Sequence, residues 1–143
     1  MTLIMLRAVL DTNVVLAADR SSNPLSPNKE IVNRWANGDF IWLVTDDIAR
    51  EYAEKLLDKG NAPAEVEAFI TGLFLLAETV EIRFFHFRHY PVDSDDIVFL
   101  LCAINGAATH LVSYDQHLWD VGAFYDEYMT CRPTEFLEVI QNR

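Results

Sequence analysis

Short apolar runs alternate along the sequence with longer segments in which apolar residues recur three and four positions apart, and this alternation restricts the fold more than any other feature. The first pattern is typical of buried strands and the second of helices. Strands are predicted at residues 6–10, 41–44, 79–85, 110–113 and, as an edge strand, 127–131. Because strands that alternate with helices usually pair in parallel, we expect an α/β fold with a parallel sheet.

Helices are predicted between these strands from their starting residues and their apolar faces. An N-cap residue or a proline precedes each of them. They cover residues 29–36, a segment capped at 45–47 and ended at 59–61, a segment from Pro63 to Leu73, residues 97–105, a short segment through Leu118 and Trp119, and a segment from Pro133 to Ile140.

Two of the predicted strands end in an acid. Asp11 directly follows the first strand, and Asp115 follows the fourth by two residues. Sites in open α/β sheets form outside the carboxyl ends of the strands, so we expect both carboxylates at the same edge. Asp11-Thr12-Asn13 also fits a simple turn that caps the next helix, and Asp115 also fits a cap for the short helix that follows it. Ser113 is placed to orient a ligand or a water molecule.

Further acids occur in two of the predicted helices. Glu51 lies three residues after Ile48, so it borders the buried face of its helix rather than opposing it. Asp93, Asp95 and Asp96 precede the most apolar helix. One capping residue and one further acid are enough to interact with the dipole of that helix, so three acids exceed this structural need. Asp95 and Asp96 compete for a functional role, and Asp96 is favoured because it immediately precedes the apolar run.

Four carboxylates that converge repel one another, and divalent cations relieve that repulsion. An all-oxygen site suits Mg²⁺ or Mn²⁺, whereas Zn²⁺ more often recruits His or Cys. The sequence does not distinguish one ion from two.

The balance of charge argues against a generic nucleic-acid binder. The 11 Lys and Arg are outnumbered by 22 Asp and Glu, giving a formal net charge of −11, whereas phosphate binding favours a basic surface. An enzyme that holds metal ions with its carboxylates is the exception, because the metal meets the phosphate.

Length and composition favour one cytoplasmic domain over residues 1–143. The longest apolar run, residues 97–104, is far short of the roughly 20 residues that span a bilayer, so no membrane association is expected. The apolar N-terminus has no cationic leader and fits a first strand. Cys102 and Cys131 have no metal-ligand partners at useful spacing and are expected to be core thiols in a reducing compartment.

Other reaction classes lack their motifs. There is no Gly-rich phosphate loop, and no Ser/His or Cys/His pair has a recognisable context. A phosphatase with an aspartyl nucleophile would usually carry a second Asp at the position of Asn13. A small-molecule-binding flavodoxin-like domain would leave the four acids unexplained.

Residues 83–90 mix cations with aromatic rings and lead directly toward Asp93. The cations are Arg83, His86, Arg88 and His89, and the aromatic residues are Phe84, Phe85, Phe87 and Tyr90. One interpretation is a core strand with its charged members solvated. In another, Arg83 and Arg88 contact the backbone phosphates of a nucleic acid while the rings stack on unpaired bases. A third makes the segment a protein interface.

The ordered set of acidic motifs resembles the PIN-domain nuclease family. The strand followed by Asp11-Thr12-Asn13 resembles the opening of that family, and the helix with Glu51 resembles its second acidic element. The stretches from Asp95 to Ala103 and from Leu111 to Asp115 resemble the third and fourth, and residues 132–137 resemble the closing segment of its VapC-like toxin subgroup. No single motif is specific to the family, whereas the motifs together occur in the family's order and span nearly the whole chain.

The resemblance implies a three-layer α/β/α fold with a central, mostly parallel sheet of about five strands. It also implies a Mg²⁺- or Mn²⁺-dependent endoribonuclease, with Asp11, Glu51, Asp96 and Asp115 as catalytic metal ligands. Thr12, Asn13, Asp95 and Ser113 would support them. The products would carry 5′-phosphate and 3′-hydroxyl ends, and an antitoxin protein is the implied partner. A homodimer is a further partner state that the resemblance allows. The alternative to an enzyme is a catalytically inactive PIN-fold module that binds RNA or protein.

Overall fold

The computed structural model describes residues 4–91 and 93–143, which form five strands and seven α-helices. The strands are β1 (Arg7–Leu10), β2 (Ile41–Val44), β3 (Glu78–Thr79), β4 (His110–Val112) and β5 (Met129–Cys131). The helices are α1 (Thr12–Arg20), α2 (Pro27–Ala36), α3 (Asp46–Asp58), α4 (Pro63–Leu76), α5 (Ile97–Asn105), α6 (Gln116–Gly122) and α7 (Pro133–Gln141). A 3₁₀ turn over Ser94–Asp96 leads into α5.

All five strands pair in parallel, in the order β3-β2-β1-β4-β5. From β1 the chain moves outward to β2 and β3, and it then returns across the sheet to β4 and β5. Because parallel crossovers are right-handed, this reversal places α5 on the opposite face from the helices between β1 and β3. The predicted α/β/α arrangement with a parallel sheet of about five strands is confirmed.

The reversal creates a switch point between β1 and β4. These neighbouring strands are joined in register at Leu10 and Val112, and the Asp11 N–H continues the ladder by donating to the Val112 carbonyl at 2.9 Å. The chain leaves β1 toward β2 and leaves β4 toward β5, so the two connections diverge and open a crevice. The residues that immediately follow these strands therefore line a natural site.

A buried tyrosine fixes α3 against the end of β1. The Tyr52 hydroxyl donates to the Leu10 carbonyl and accepts from Trp42 Nε1 at 3.3 Å. Both rings are fully buried, and a buried polar group without a partner would cost about 1–3 kcal/mol. Since Glu51 is the neighbour of Tyr52 on the same helix, this contact also holds Glu51 near the end of β1.

The third strand was predicted at residues 79–85, and this prediction is wrong beyond its start. β3 consists of Glu78 and Thr79 alone, which pair with Leu43 and Val44 of β2, and the Val80 N–H adds a last bond to the Val44 carbonyl. β2 cannot extend further because Thr45 caps α3, its hydroxyl accepting from the Ile48 N–H at 3.1 Å. The residues after Val80 therefore have no strand to pair with.

A side chain of α5 replaces the missing ladder. Asn105 Oδ1 accepts from the N–H groups of Arg83 and Phe84 at 2.9 and 2.8 Å, and its Nδ2 donates to the Phe84 carbonyl at 2.7 Å. Residues 83–90 consequently have an irregular conformation, so the predicted strand is wrong here. Phe87 nevertheless packs against the core, and Arg83 and Arg88 are exposed, as the core-strand interpretation expected.

The other predicted elements are present within a few residues of their expected bounds, and β5 is an edge strand as predicted. The prediction gave no bounds for α1, which it allowed only as a helix capped by Asp11-Thr12-Asn13. Cys102 and Cys131 are buried and free, and burial raises the pKa of each thiol to about 12, as fits core thiols. Within residues 4–91 and 93–143, no helix combines the length and apolarity needed to cross a membrane.

Candidate active site

Asp11 lies at the carboxyl end of β1 and is only 4% exposed. It occupies the N-cap position of α1, yet its side chain forms no capping hydrogen bond. The carboxylate instead accepts a hydrogen bond from the Ser113 hydroxyl across the switch point, with Oγ to Oδ2 at 2.7 Å. The capping interpretation of Asp11 therefore accounts for its position but not for the direction of its side chain.

Ser113 links Asp11 to Asp115. Its Oγ donates to Asp11 and accepts from the Asp115 N–H at 2.8 Å, so one fully buried hydroxyl fixes the residues that follow β1 and β4. Asp115 also caps α6, because its Oδ1 accepts from the His117 N–H at 2.8 Å. For Asp115 the cap and the site are compatible, since a carboxylate has lone pairs for several partners.

The three aspartates before α5 are in different environments. Asp93 caps the 3₁₀ turn by accepting from the Asp95 N–H at 3.0 Å. Asp95 is exposed, whereas Asp96 is 8% exposed and faces Asp115. Burial thus separates the two competing residues and favours Asp96.

Glu51 approaches the site from α3 and is held by Thr12. The buried Thr12 hydroxyl donates to Glu51 Oε2. Because Thr12 follows Asp11 directly, this bond ties the second acidic element to the first. Asn13 is exposed, and its side chain bonds to none of the described residues.

The carboxylates are costly to ionise together. Burial raises the pKa of Asp11 to about 6, while the hydrogen bond from Ser113 opposes that rise. Burial likewise raises the pKa of Asp96 to about 7, and the negative charges of Asp115 and Asp11 raise it further. Burial also raises the pKa of Glu51, against the hydrogen bond from Thr12. A carboxyl proton or a cation is needed to offset this repulsion.

The buried end of Asp96 fits a cation. Its Oδ2 is shielded from solvent and accepts no hydrogen bond from any described residue. An unpartnered carboxylate oxygen in the interior is unfavourable, whereas divalent hard cations bind carboxylate oxygens directly. The oxygen-rich donor set therefore fits Mg²⁺ or Mn²⁺.

His117 joins this cluster and was not among the predicted site residues. One ligand atom each from Asp96, Asp115 and His117 lies within 4.8 Å of the others. The available signal in the sequence was the spacing Asp115-Gln116-His117, which places the imidazole in the first turn after a site carboxylate.

One cavity of the protein lies away from these acids. It measures about 540 Å³ and lies among α1, α2, α3 and α4, with none of the four acids in its lining.

Arg83 and Arg88 lie outside the cluster. Arg83 is exposed and forms an exposed ion pair with Glu81 at 3.0 Å. Arg88 is exposed and pairs with no acid of the described chain. Both belong to the irregular segment that leads into the 3₁₀ turn before α5.

Comparison with known proteins identifies a matching family. The sequence profile described as a PIN domain matches residues 7–117, a span that contains all four acids and His117. No curated protein matches the sequence.

Among solved structures, this chain is similar to a chain of VapBC2 from Rickettsia felis. That structure contains VapBC2 bound to a DNA fragment from its own promoter. The TM-score is 0.58 at 12% identity, and the alignment covers 87% of this chain and 97% of that chain. At this identity the likeness establishes the fold alone. The profile match covers most of the sequence, and the chain therefore belongs to the PIN domain family.

Proposed function

We propose that this chain is a divalent-metal-dependent endoribonuclease with Asp11, Glu51, Asp96 and Asp115 as its catalytic carboxylates. The observation that carries the proposal is the buried Asp96 carboxylate, which faces Asp115 with one oxygen unpartnered. When ionised, an acid held in this way destabilises the metal-free fold, so a purely structural role would require it to stay protonated. A role in binding a cation accounts for it.

The surrounding residues hold the carboxylates in position for Mg²⁺ or Mn²⁺. Asp96 and Asp115 would bind the cation, with Asp11 and Glu51 beside them. Ser113 orients Asp11, and Thr12 orients Glu51. The bound cation supplies positive charge that stabilises a phosphodiester under attack by water. Cleavage is expected to leave 5′-phosphate and 3′-hydroxyl ends.

The likeness to VapBC2 supports a toxin–antitoxin setting. The similar fold in VapBC2 belongs to a complex crystallised with promoter DNA. We propose that this chain is likewise a toxin component that binds an antitoxin protein. Its net charge of −11 fits a partner with a basic contact segment.

The proposed function is tested by incubating the tag-free protein with a mixed RNA pool. Cleavage is expected with millimolar Mg²⁺ or Mn²⁺ and is expected to stop when EDTA is added. Ligation of the products to adapters that require a 5′-phosphate identifies the ends. Binding of RNA without cleavage in either metal would leave the inactive PIN-fold module as the function.

RNA contact is proposed for an aromatic surface made by two loops that adjoin the acids. One loop is residues 83–90, which lead toward Asp96, and the other is residues 123–128, which follow α6. They are joined by the Tyr125 hydroxyl, which donates to the His89 carbonyl at 2.8 Å, and by His89 stacked on Phe124 at 3.9 Å between ring centroids. A cavity of about 440 Å³ lies between the loops.

This aromatic surface has the groups that unpaired RNA requires. Phe84 and Phe85 are 54% and 56% exposed, so bases have rings on which to stack. Arg88 extends from the same loop into solvent and would contact a phosphate. Arg83 pairs with Glu81 at 3.0 Å and would exchange that carboxylate for a phosphate. Residues 83–90 contain no acid, in contrast to the chain as a whole.

An Arg83→Ala/Arg88→Ala variant is expected to bind RNA more weakly and to flatten the salt dependence of binding by about one unit per lost phosphate contact. Binding is measured over a salt series in Ca²⁺, which suppresses cleavage. The matched control is Arg20→Ala/Lys59→Ala, which removes the same charge from the far ends of α1 and α3. Equal slopes in the two variants would contradict RNA contact at this surface and favour a protein interface there.

A further inference from the structure

His117 places a nitrogen ligand beside two carboxylates of the proposed site. Its backbone N–H donates to Asp115 Oδ1, which fixes the start of α6 so that the side chain projects near the same carboxylate. The ring Nδ1 lies 3.9 Å from Asp115 Oδ1, which is too long for a hydrogen bond. The imidazole is thus close to Asp115 without being bonded to it.

The spacing of the three ligand atoms suits a single cation. Asp96, Asp115 and His117 each offer an atom within 4.8 Å of the other two. Ligands that surround one ion at roughly 2.0–2.2 Å lie about 3–4.4 Å from one another, so only small side-chain rotations are needed. The His117 side chain is 50% exposed and has room to make that rotation.

A second observation points to a ligand independently of this spacing. Asp96 is more than nine-tenths buried, and its Oδ2 accepts no hydrogen bond from the described residues. Other buried polar side chains of the site have partners: Asp11 bonds to Ser113, and Thr12 bonds to Glu51. Asp96 therefore differs from them in having a buried carboxylate oxygen that accepts no hydrogen bond within the described part of the chain.

Ligand chemistry connects the imidazole to metal preference. Mg²⁺ strongly prefers oxygen ligands, whereas imidazole nitrogen suits first-row transition metals. Mn²⁺ accepts both carboxylate oxygen and imidazole nitrogen. A histidine among the ligands should therefore favour Mn²⁺ over Mg²⁺, whereas carboxylates alone are suitable ligands for both ions.

We propose that His117 is a metal ligand alongside Asp96 and Asp115, and that it makes this site bind Mn²⁺ in preference to Mg²⁺. The proposal rests on the metal dependence proposed above. It concerns the choice of ion and the third ligand, and it predicts a change in metal binding that does not require RNA.

The test compares tag-free wild type with His117→Asn, which keeps a polar side chain but removes the imidazole. Mn²⁺ and Mg²⁺ affinities are measured separately by calorimetry. Pulsed EPR of the Mn²⁺ complex detects the nitrogen-14 modulation of a coordinated imidazole. The matched control is His86→Asn, an exposed histidine on residues 83–90, and Asp115→Asn provides a variant that should lose both ions.

We expect His117→Asn to weaken Mn²⁺ binding by about tenfold or more and Mg²⁺ binding by less than about twofold. The nitrogen-14 modulation should be present in wild type and His86→Asn and absent in His117→Asn. A variant that keeps the modulation, or that weakens both ions equally, would overturn the role of His117 and leave the carboxylate site intact.

The two proposals fail in distinguishable ways. Wild type that binds Mn²⁺ with nitrogen-14 modulation but cuts no RNA would retain the His117 assignment and contradict the nuclease. Wild type that cuts RNA with Mg²⁺ and binds Mn²⁺ no more tightly than Mg²⁺ would support the nuclease and contradict the His117 assignment. Wild type that binds neither ion would overturn both.

Discussion

Replacing Asp96 with asparagine is expected to lower RNA cleavage on the order of 100-fold or more, whereas the same change at Asp95 should alter it by less than about twofold. The two residues are adjacent and chemically identical, but Asp96 is buried against Asp115 and Asp95 is exposed. Asparagine keeps the shape of the side chain and removes the charge that would bind a cation. Asp11→Asn is expected to act like Asp96→Asn.

Asp95→Asn is the matched control for Asp96→Asn. Both variants carry the same change in net charge, so a general electrostatic effect on RNA binding would appear equally in each. Initial rates are measured with saturating Mn²⁺ on a defined single-stranded RNA, and circular dichroism checks the fold. An inactive Asp95→Asn beside an active Asp96→Asn would assign the third acid to Asp95 instead.

The parts of the site that local sequence predicts are those that follow a strand or a helix start. Asp11 and Asp115 come at the ends of apolar runs, and a polar residue at the end of a buried strand must face the sheet edge. The Ser113 hydroxyl bonds to Asp11, and its predicted role in orienting a ligand or a water molecule stays a prediction. These placements depend on the residues immediately before them, which is why the sequence predicts them.

The parts that local sequence misses depend on contacts distant along the chain. Residues 79–85 have the aromatic, β-branched character of a strand, but β3 stops because Thr45 ends its neighbour β2 and Asn105 binds the backbone that follows. His117 resembles an ordinary residue of a first helical turn until α5 brings Asp96 beside it. Such placements require the pairing of whole elements.

The absence of predicted bounds for α1 has a local cause. The helix begins with Thr12 and then contains Val14 and Val15, whose branched side chains lower helix propensity. Tertiary packing overrides this preference, because both valines are buried in the main core. Neither the caps nor the propensities of this segment distinguish a helix from an extension of β1.

The metal-free protein is expected to lose stability as pH rises from about 5 to 8, and bound Mn²⁺ should counteract that loss. The folded chain holds the pKa of Asp11 at about 6 and that of Asp96 at about 7, above the usual values for aspartate. Between pH 4 and 7 the folded state therefore binds more protons than the unfolded chain. The stability this provides is fully present below about pH 4 and is lost as pH rises through 6 and 7.

A buried histidine works in the opposite direction over part of this range. Burial lowers the pKa of His110, so its contribution to stability is present above pH 6.5 and is lost as pH falls. Since His110 lies at the start of β4, away from the acids, a substitution at Asp96 leaves its contribution unchanged. The difference between wild type and Asp96→Asn therefore isolates the contribution of the carboxylate.

Thermal unfolding in EDTA at pH 5 and pH 8 measures this difference. Asp96→Asn should unfold at a higher temperature than wild type at pH 8, and its unfolding temperature should fall less than that of wild type between pH 5 and pH 8. Asp95→Asn should have the same unfolding temperatures as wild type. At a hundredfold excess over the dissociation constant, Mn²⁺ should stabilise wild type by about 2.7 kcal/mol, a rise in Tm on the order of 10 °C, and should stabilise Asp96→Asn far less. Two results would contradict this prediction. Mn²⁺ could stabilise wild type no more than it stabilises Asp96→Asn, or Asp96→Asn could be less stable than wild type in EDTA at pH 8. Either result would mean that Asp96 is a structural carboxylate and that divalent ions bind elsewhere.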